Sequence, residues 1–132
     1  MAKYFQTQIL FSTGVVTSPN YPGSYGNNLD TTDTIKVEEG QVISLHFDAF
    51  ELNDYDDCDD YDHLTITNGD GKTLMEKTCG INLPGDLISN SNIVNLEFFT
   101  DDYYDAEGAG WSVSWSAVTP GECHQQYVWI IS

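Results

Sequence analysis

Apolar and polar residues alternate with a period of two at five places: Ile35-Lys36-Val37, Ile43-Ser44-Leu45-His46-Phe47, Leu64-Thr65-Ile66, Leu96-Glu97-Phe98 and Trp111-Ser112-Val113-Ser114-Trp115. Successive side chains of an extended strand point to opposite faces, so each run predicts a strand with one buried face. Turn formers stand between the runs, in Glu38-Glu39-Gly40-Gln41, Asn68-Gly69-Asp70-Gly71, Leu83-Pro84-Gly85-Asp86 and Gly108-Ala109-Gly110. No stretch carries a sustained 3.6-residue apolar period with caps. Short strands, regular turns and no helix predict an all-β antiparallel sandwich or barrel.

The segment Thr13 to Tyr25 contains Pro19 and Pro22, which bar it from the middle of a sheet. It should wrap an edge, with its tyrosines packed against the sandwich. Trp111 and Trp115 fall on the same face of one strand, a core position rather than a sugar platform. After Thr119-Pro120-Gly121 the strand pattern stops. Residues 1–119 therefore read as one domain and 120–132 as a linker or tail, a division that fits a chain of 132 residues.

Charge narrows the function. Four Lys and Arg stand against 21 Asp and Glu, a formal net charge of −17. Such a surface repels nucleic acid and anionic lipid, and concentrates cations and basic partners. No apolar run approaches the ~18 residues of a membrane span, so membrane insertion is not expected. The three cysteines, Cys58, Cys79 and Cys123, have no zinc-site spacing. Cys58 and Cys79 each lie where a loop meets a predicted strand, and a bridge between them would imply an oxidising compartment. Cys123 in the tail is left as an unpaired thiol or an intermolecular bridge.

The acidic residues are concentrated in two loops. Asp54, Asp56, Asp57, Asp59, Asp60 and Asp62 place six carboxylates in nine residues, and Asp101, Asp102, Asp105 and Glu107 follow a later strand. Calcium takes six to eight oxygen ligands, several of them carboxylates on adaptable loops. No EF-hand spacing occurs, so any site must be assembled from distant segments. In a strict up-and-down meander the two loops would fall at opposite ends. A shared site requires one connection that returns along the sandwich, and residues 79–91 are long enough, since 13 residues reach roughly 43 Å when extended.

These motifs, in order, resemble the CUB family of extracellular modules. The resemblance spans about residues 5–117 and rests on Gly14-Val15-Val16-Thr17-Ser18-Pro19-Asn20-Tyr21-Pro22, on Phe50 to Asp62 with Cys58 inside, and on Asn68-Gly69. It continues through Cys79-Gly80, Phe98-Phe99-Thr100-Asp101 and Gly110-Trp111. It implies a jelly-roll-like β-sandwich of two antiparallel sheets, a Cys58–Cys79 disulfide and a secreted, extracellular setting. It also implies a calcium site built from Asp62, Asp101, the main chain of Tyr103, and either Asn53 or Asp54. The usual acidic position falls on Asn53 counted from Phe50 and on Asp54 counted back from Asp62; an ionised carboxylate suits calcium better. The positions of the family's first disulfide fall near Phe5 and Thr31, so that bridge is missing.

Catalysis is not expected of the chain. His46 lies inside a predicted strand, His63 opens one and His124 is in the tail, so no Ser-His-Asp arrangement forms. The expected function is a non-catalytic protein-interaction module. Its calcium-ordered loops would present Asp102, Asp105 and Tyr104 to a Lys or Arg of an extracellular partner. The alternative is calcium-independent glycan binding through Tyr55, Tyr103 or Tyr104, as the spermadhesin branch of the family implies.

Overall fold

A computed structural model describes residues 12–52, 58–102 and 108–121. These form β1 (Thr13–Thr17), β2 (Asp30–Lys36), β3 (Val42–Glu51), β4 (His63–Asn68), β5 (Thr73–Thr78), β6 (Leu87–Ile88), β7 (Ile93–Phe99) and β8 (Gly110–Val118). The strands build two four-stranded antiparallel sheets, in the orders β1-β8-β3-β6 and β2-β7-β4-β5. The chain passes repeatedly from one sheet to the other, which is the jelly-roll-like sandwich expected from the sequence.

Alternation along each strand decides what enters the core. Ile43, Leu45 and Phe47 of β3, Leu64 and Ile66 of β4, Val94, Leu96 and Phe98 of β7, and Trp111 and Val113 of β8 are all buried. They meet between the sheets as one cluster, with Trp115 partly buried against it. β3 would lose this phase after Phe47, because Phe50 lies an odd number of residues further on. A register shift between Phe47 and Ala49 against β8 absorbs one residue and turns Phe50 inward. The two rings then meet edge to face at 5.7 Å.

The Thr13–Tyr25 segment divides in two. Its first five residues are the edge strand β1, paired with β8 from Thr13↔Ser116 to Thr17↔Ser112. The prolines follow it, and the chain then delivers Tyr25 into the core at 3% exposure.

Cross-strand register gathers five strand ends at one pole. Glu51 at the end of β3 pairs with Gly110 at the start of β8. His63, opening β4, pairs with Phe99, ending β7, which also pairs with Asp30, opening β2. Both acidic loops therefore leave from the same pole. The return connection is the one anticipated: β5 ends with Thr78 opposite Leu64 at this pole. The chain then runs back to β6, which meets Ser44 and Leu45, and to β7, which starts opposite Lys36.

Candidate functional site: the acidic pole

Each acidic loop is pinned where it leaves the sandwich. The Leu52 amide donates to the Gly80 carbonyl at 2.9 Å, and Cys58 is disulfide-bonded to Cys79 with Cα atoms 5.5 Å apart. One dipeptide, Cys79-Gly80, thus holds both ends of residues 53–57. The disulfide itself closes the loop from Cys58 to Cys79, a sequence separation of 21, which stabilises the fold by about 3 kcal/mol in the chain-entropy account. Asn53 and Asp54 lie outside the described residues.

The second loop is fixed by close backbone approach. Gly108 lies so near Glu51 that a Cβ there would fall 2.2 Å from the Glu51 carbonyl oxygen. Gly110 has φ +95° and presses on Ser18. The Trp111 amide donates to Ser18 Oγ at 3.0 Å. On the incoming side, Asn28 donates its amide to the Asp101 carbonyl at 2.8 Å, and Leu29 donates its amide to Thr100 Oγ1 at 2.8 Å. Tyr103, Tyr104 and Asp105 lie outside the described residues, as do Tyr55 in the first loop and Cys123 in the tail.

Asp62 and Asp101 meet between these anchors. Asp62 is 1% exposed, yet carries a carboxylate. The Tyr25 hydroxyl donates to its Oδ2 at 2.6 Å, and the Asp101 amide donates to its Oδ1 at 3.0 Å. Residues 39 positions apart are thereby joined directly. Burial of a carboxylate is tolerable only when donors replace water, and here a phenol and a backbone amide do so. Asp102 is exposed beside them, at the edge of a depression of about 340 Å³ that Asn28 and Asp101 also line.

The donor chemistry fits a hard cation. Asp62 and Asp101 offer oxygen, and a carboxylate oxygen that accepts one hydrogen bond keeps capacity for another partner. Asn27, one residue before the strap to Asp101, has a buried Oδ1 with no hydrogen-bond partner among the described residues. No group of three or more His, Cys, Asp or Glu able to hold a metal occurs among the described residues. Of the expected ligands, Asp62 and Asp101 lie among the described residues and Asn53, Asp54 and Tyr103 lie outside them.

Tyr25 and Asn27 were not singled out in the sequence, and no spacing points to them. Tyr25 is 37 residues from its partner Asp62; the only signal was a tyrosine in a proline-bounded segment expected to pack inward.

The family model of the CUB domain matches residues 6–115. The chain belongs to the CUB family. Among individual relatives, a Gallus gallus astacin-like metalloendopeptidase is 39% identical over 98 residues, covering 72% of this chain and 24% of that protein. Rattus norvegicus cubilin is 34% identical over 107 residues, covering 81% of this chain and 3% of cubilin. The chain thus spans a quarter or less of these relatives. Among solved structures, the human MASP-1/3 CUB1-EGF-CUB2 fragment superposes with a TM-score of 0.75 at 27% identity, covering 86% of this chain and 44% of that one. The MASP-1 CUB2 domain bound to Ca2+ superposes with a TM-score of 0.70 at 31% identity, covering 80% and 92%. CUB domains are non-catalytic protein-interaction modules of extracellular proteins.

Proposed function

We propose that this CUB domain is a secreted, calcium-organised docking module, with residues 1–119 as the folded unit and 120–132 as a linker or tail. Asp62 and Asp101 hold the ion, together with Asp54 or Asn53 and the main chain of Tyr103. The ion supplies fixed positive charge that draws both acidic loops into one conformation. Asp102, Asp105 and Tyr104 then face outward toward a Lys or Arg of an extracellular partner. Carboxylates already immobilised lose little further freedom when the partner arrives.

One observation carries this reading: the Asp101 amide rests on the Asp62 carboxylate. Two acidic residues 39 positions apart are thereby brought to one place by a backbone amide, and converging carboxylate oxygens are the donors a hard divalent cation takes. The calcium held by the similar MASP-1 CUB2 domain supports it.

Calorimetric titration of calcium into the wild type, Asp62→Ala and Asp101→Ala tests the proposal. One strong site in the wild type, lost in both variants with the fold intact by circular dichroism, is the expected result. Absence of calcium heat, together with an EDTA-insensitive melt, would remove it. Glycan binding without calcium is the competing reading, and a glycan array probed in EDTA separates the two.

A further inference from the structure

On the outer face of the β2-β7-β4-β5 sheet, next to the acidic pole, lies a cavity of about 380 Å³. Register makes its floor. Asp30, Phe99 and His63 form one cross-strand row, and Glu97 stands two residues before Phe99 on the same face. The Phe99 and His63 rings stack, with centroids 5.1 Å apart and planes 24° from parallel. Phe99 remains 37% exposed, whereas His63 is 8% exposed. His63 is also locked, because its Nδ1 contacts the Tyr61 carbonyl at 2.7 Å. A carbonyl can only accept, so Nδ1 carries a proton and donates it there.

Besides Lys77 and the Thr65 hydroxyl, the polar groups lining the cavity are the His63 ring and the carboxylates of Asp30, Asp59 and Glu97. Asp30 makes no ion pair or side-chain hydrogen bond among the described residues. Glu97 accepts one bond, from Thr67 Oγ1 at 3.1 Å. The one cation lining the cavity, Lys77, is directed at Asp59, 3.9 Å away. Directly opposed residues on a sheet lie about 5 Å apart and diagonal ones about 7–8 Å. Asp30 and Glu97 therefore bracket the ring at a separation that a single planar donor can span.

We infer that this cavity is an arginine-binding subsite, in which Phe99 stacks the guanidinium of a protein partner while Asp30 and Glu97 accept its N–H groups. Only donors, a flat delocalised cation and weak hydration match an aromatic face ringed by acceptors. Lysine presents a compact, strongly hydrated charge and matches it poorly. The sequence contains no arginine, so a second copy of these 132 residues cannot fill the site and the guanidinium comes from a protein surface outside them. The subsite deepens the basic-partner reading of the neighbouring pole but does not rest on it, since none of its residues is an expected calcium ligand.

The test is an NMR titration of the full chain with N-acetyl-arginine amide, and separately with N-acetyl-lysine amide, each in calcium and in EDTA. Saturable shifts of the Phe99 and His63 ring signals by the arginine derivative, equal in both buffers and weaker for lysine, are expected. Phe99→Leu should weaken arginine binding about two- to fivefold, the loss of one exposed cation–π contact. Asp30→Asn combined with Glu97→Gln should weaken it about tenfold or more. These side chains are exposed, and an unchanged melt verifies that the variants fold. Shifts confined to residues 101–102 and abolished by EDTA would overturn the subsite while supporting the calcium-dependent face. Equal binding of lysine and arginine, no response to Phe99→Leu, or no shift at all would also overturn it.

Discussion

Replacing Tyr25 by phenylalanine removes one oxygen atom and little else. The ring is 3% exposed and packs edge-on against Phe98 at 5.2 Å, a contact that phenylalanine preserves. What disappears is the hydroxyl donor 2.6 Å from Asp62 Oδ2. A hydrogen bond to a charged group contributes about 1.5–3 kcal/mol, and a carboxylate only 1% exposed has poor access to replacement water. Tyr25→Phe should therefore destabilise the domain by about 2 kcal/mol in EDTA, a fall in melting temperature of roughly 8 °C for a domain of this size. In calcium the deficit should shrink to below about 1 kcal/mol. The phenol dipole and the divalent ion stabilise the same negative charge, so each reduces what the other adds. Urea unfolding of wild type and variant, each with EDTA and with saturating calcium, completes a cycle whose imbalance measures that coupling. A variant within about 0.5 kcal/mol of wild type in EDTA would refute the assignment of the phenol as a principal support of Asp62. A deficit of equal size in both buffers would refute placement of the ion at that carboxylate.

Two further outcomes follow from geometry elsewhere. Gly108→Ala would set a Cβ 2.2 Å from the Glu51 carbonyl oxygen, backbone against backbone. It should cost about 3 kcal/mol or more in denaturant unfolding, whereas Gly85→Ala, with nothing within 4 Å of its Cβ, should stay within about 0.5 kcal/mol. On the opposite sheet, the hydrogen bond from His46 to Asp86, then the Asp86 charge and more weakly the Asp48 charge, raise the His46 pKa above 6.5. A raised folded-state value means that this contact stabilises fully below the unfolded pKa near 6.5, and that the gain is lost as pH climbs through the folded value. An NMR titration should show the elevation in wild type and its return toward 6.5 in Asp86→Asn.

The five alternating runs were legible because each belongs to a strand with one face against the core, where period two is enforced by burial. β5 was not, since its pairing with β4 shifts register twice and Leu74-Met75 breaks the alternation. β6 has two residues, Leu87 and Ile88, too few to carry any period. Phe47 and Phe50 are individually apolar, but their common burial depends on a register shift that only pairing with β8 reveals. At the pole, the acidic loops stood out from composition, and the grouping of Asp62 with Asp101 was implied by the family resemblance. Tyr25 on Asp62 and Phe99 on His63 did not, because each joins residues whose proximity is set by cross-strand register and has no echo in local spacing.

The distribution of charge over this frame connects the two binding readings. The sequence holds only four cationic residues of the Lys and Arg type. Lys36 closes β2 opposite Ile93, and Lys72 sits in the turn between β4 and β5, both at the end away from the acidic loops. The Tyr25 hydroxyl and the Asp101 amide that donate to Asp62 are neutral groups, which orient its carboxylate. Among the described residues only Lys77, beside Asp59, brings a Lys or Arg charge near the pole, so its excess of negative charge favours cations from outside. A small divalent ion suits the tight position between Asp62 and Asp101, where hard oxygen donors converge. A broad planar cation suits the sheet face beside it, where Phe99 supplies an aromatic surface and the carboxylates stand further apart. Under the two proposals, the same excess of negative charge divides by geometry into a site for a metal and a site for a side chain. A partner carrying a lysine and an arginine at matching separation would engage both, and removing calcium would then weaken its binding without abolishing it.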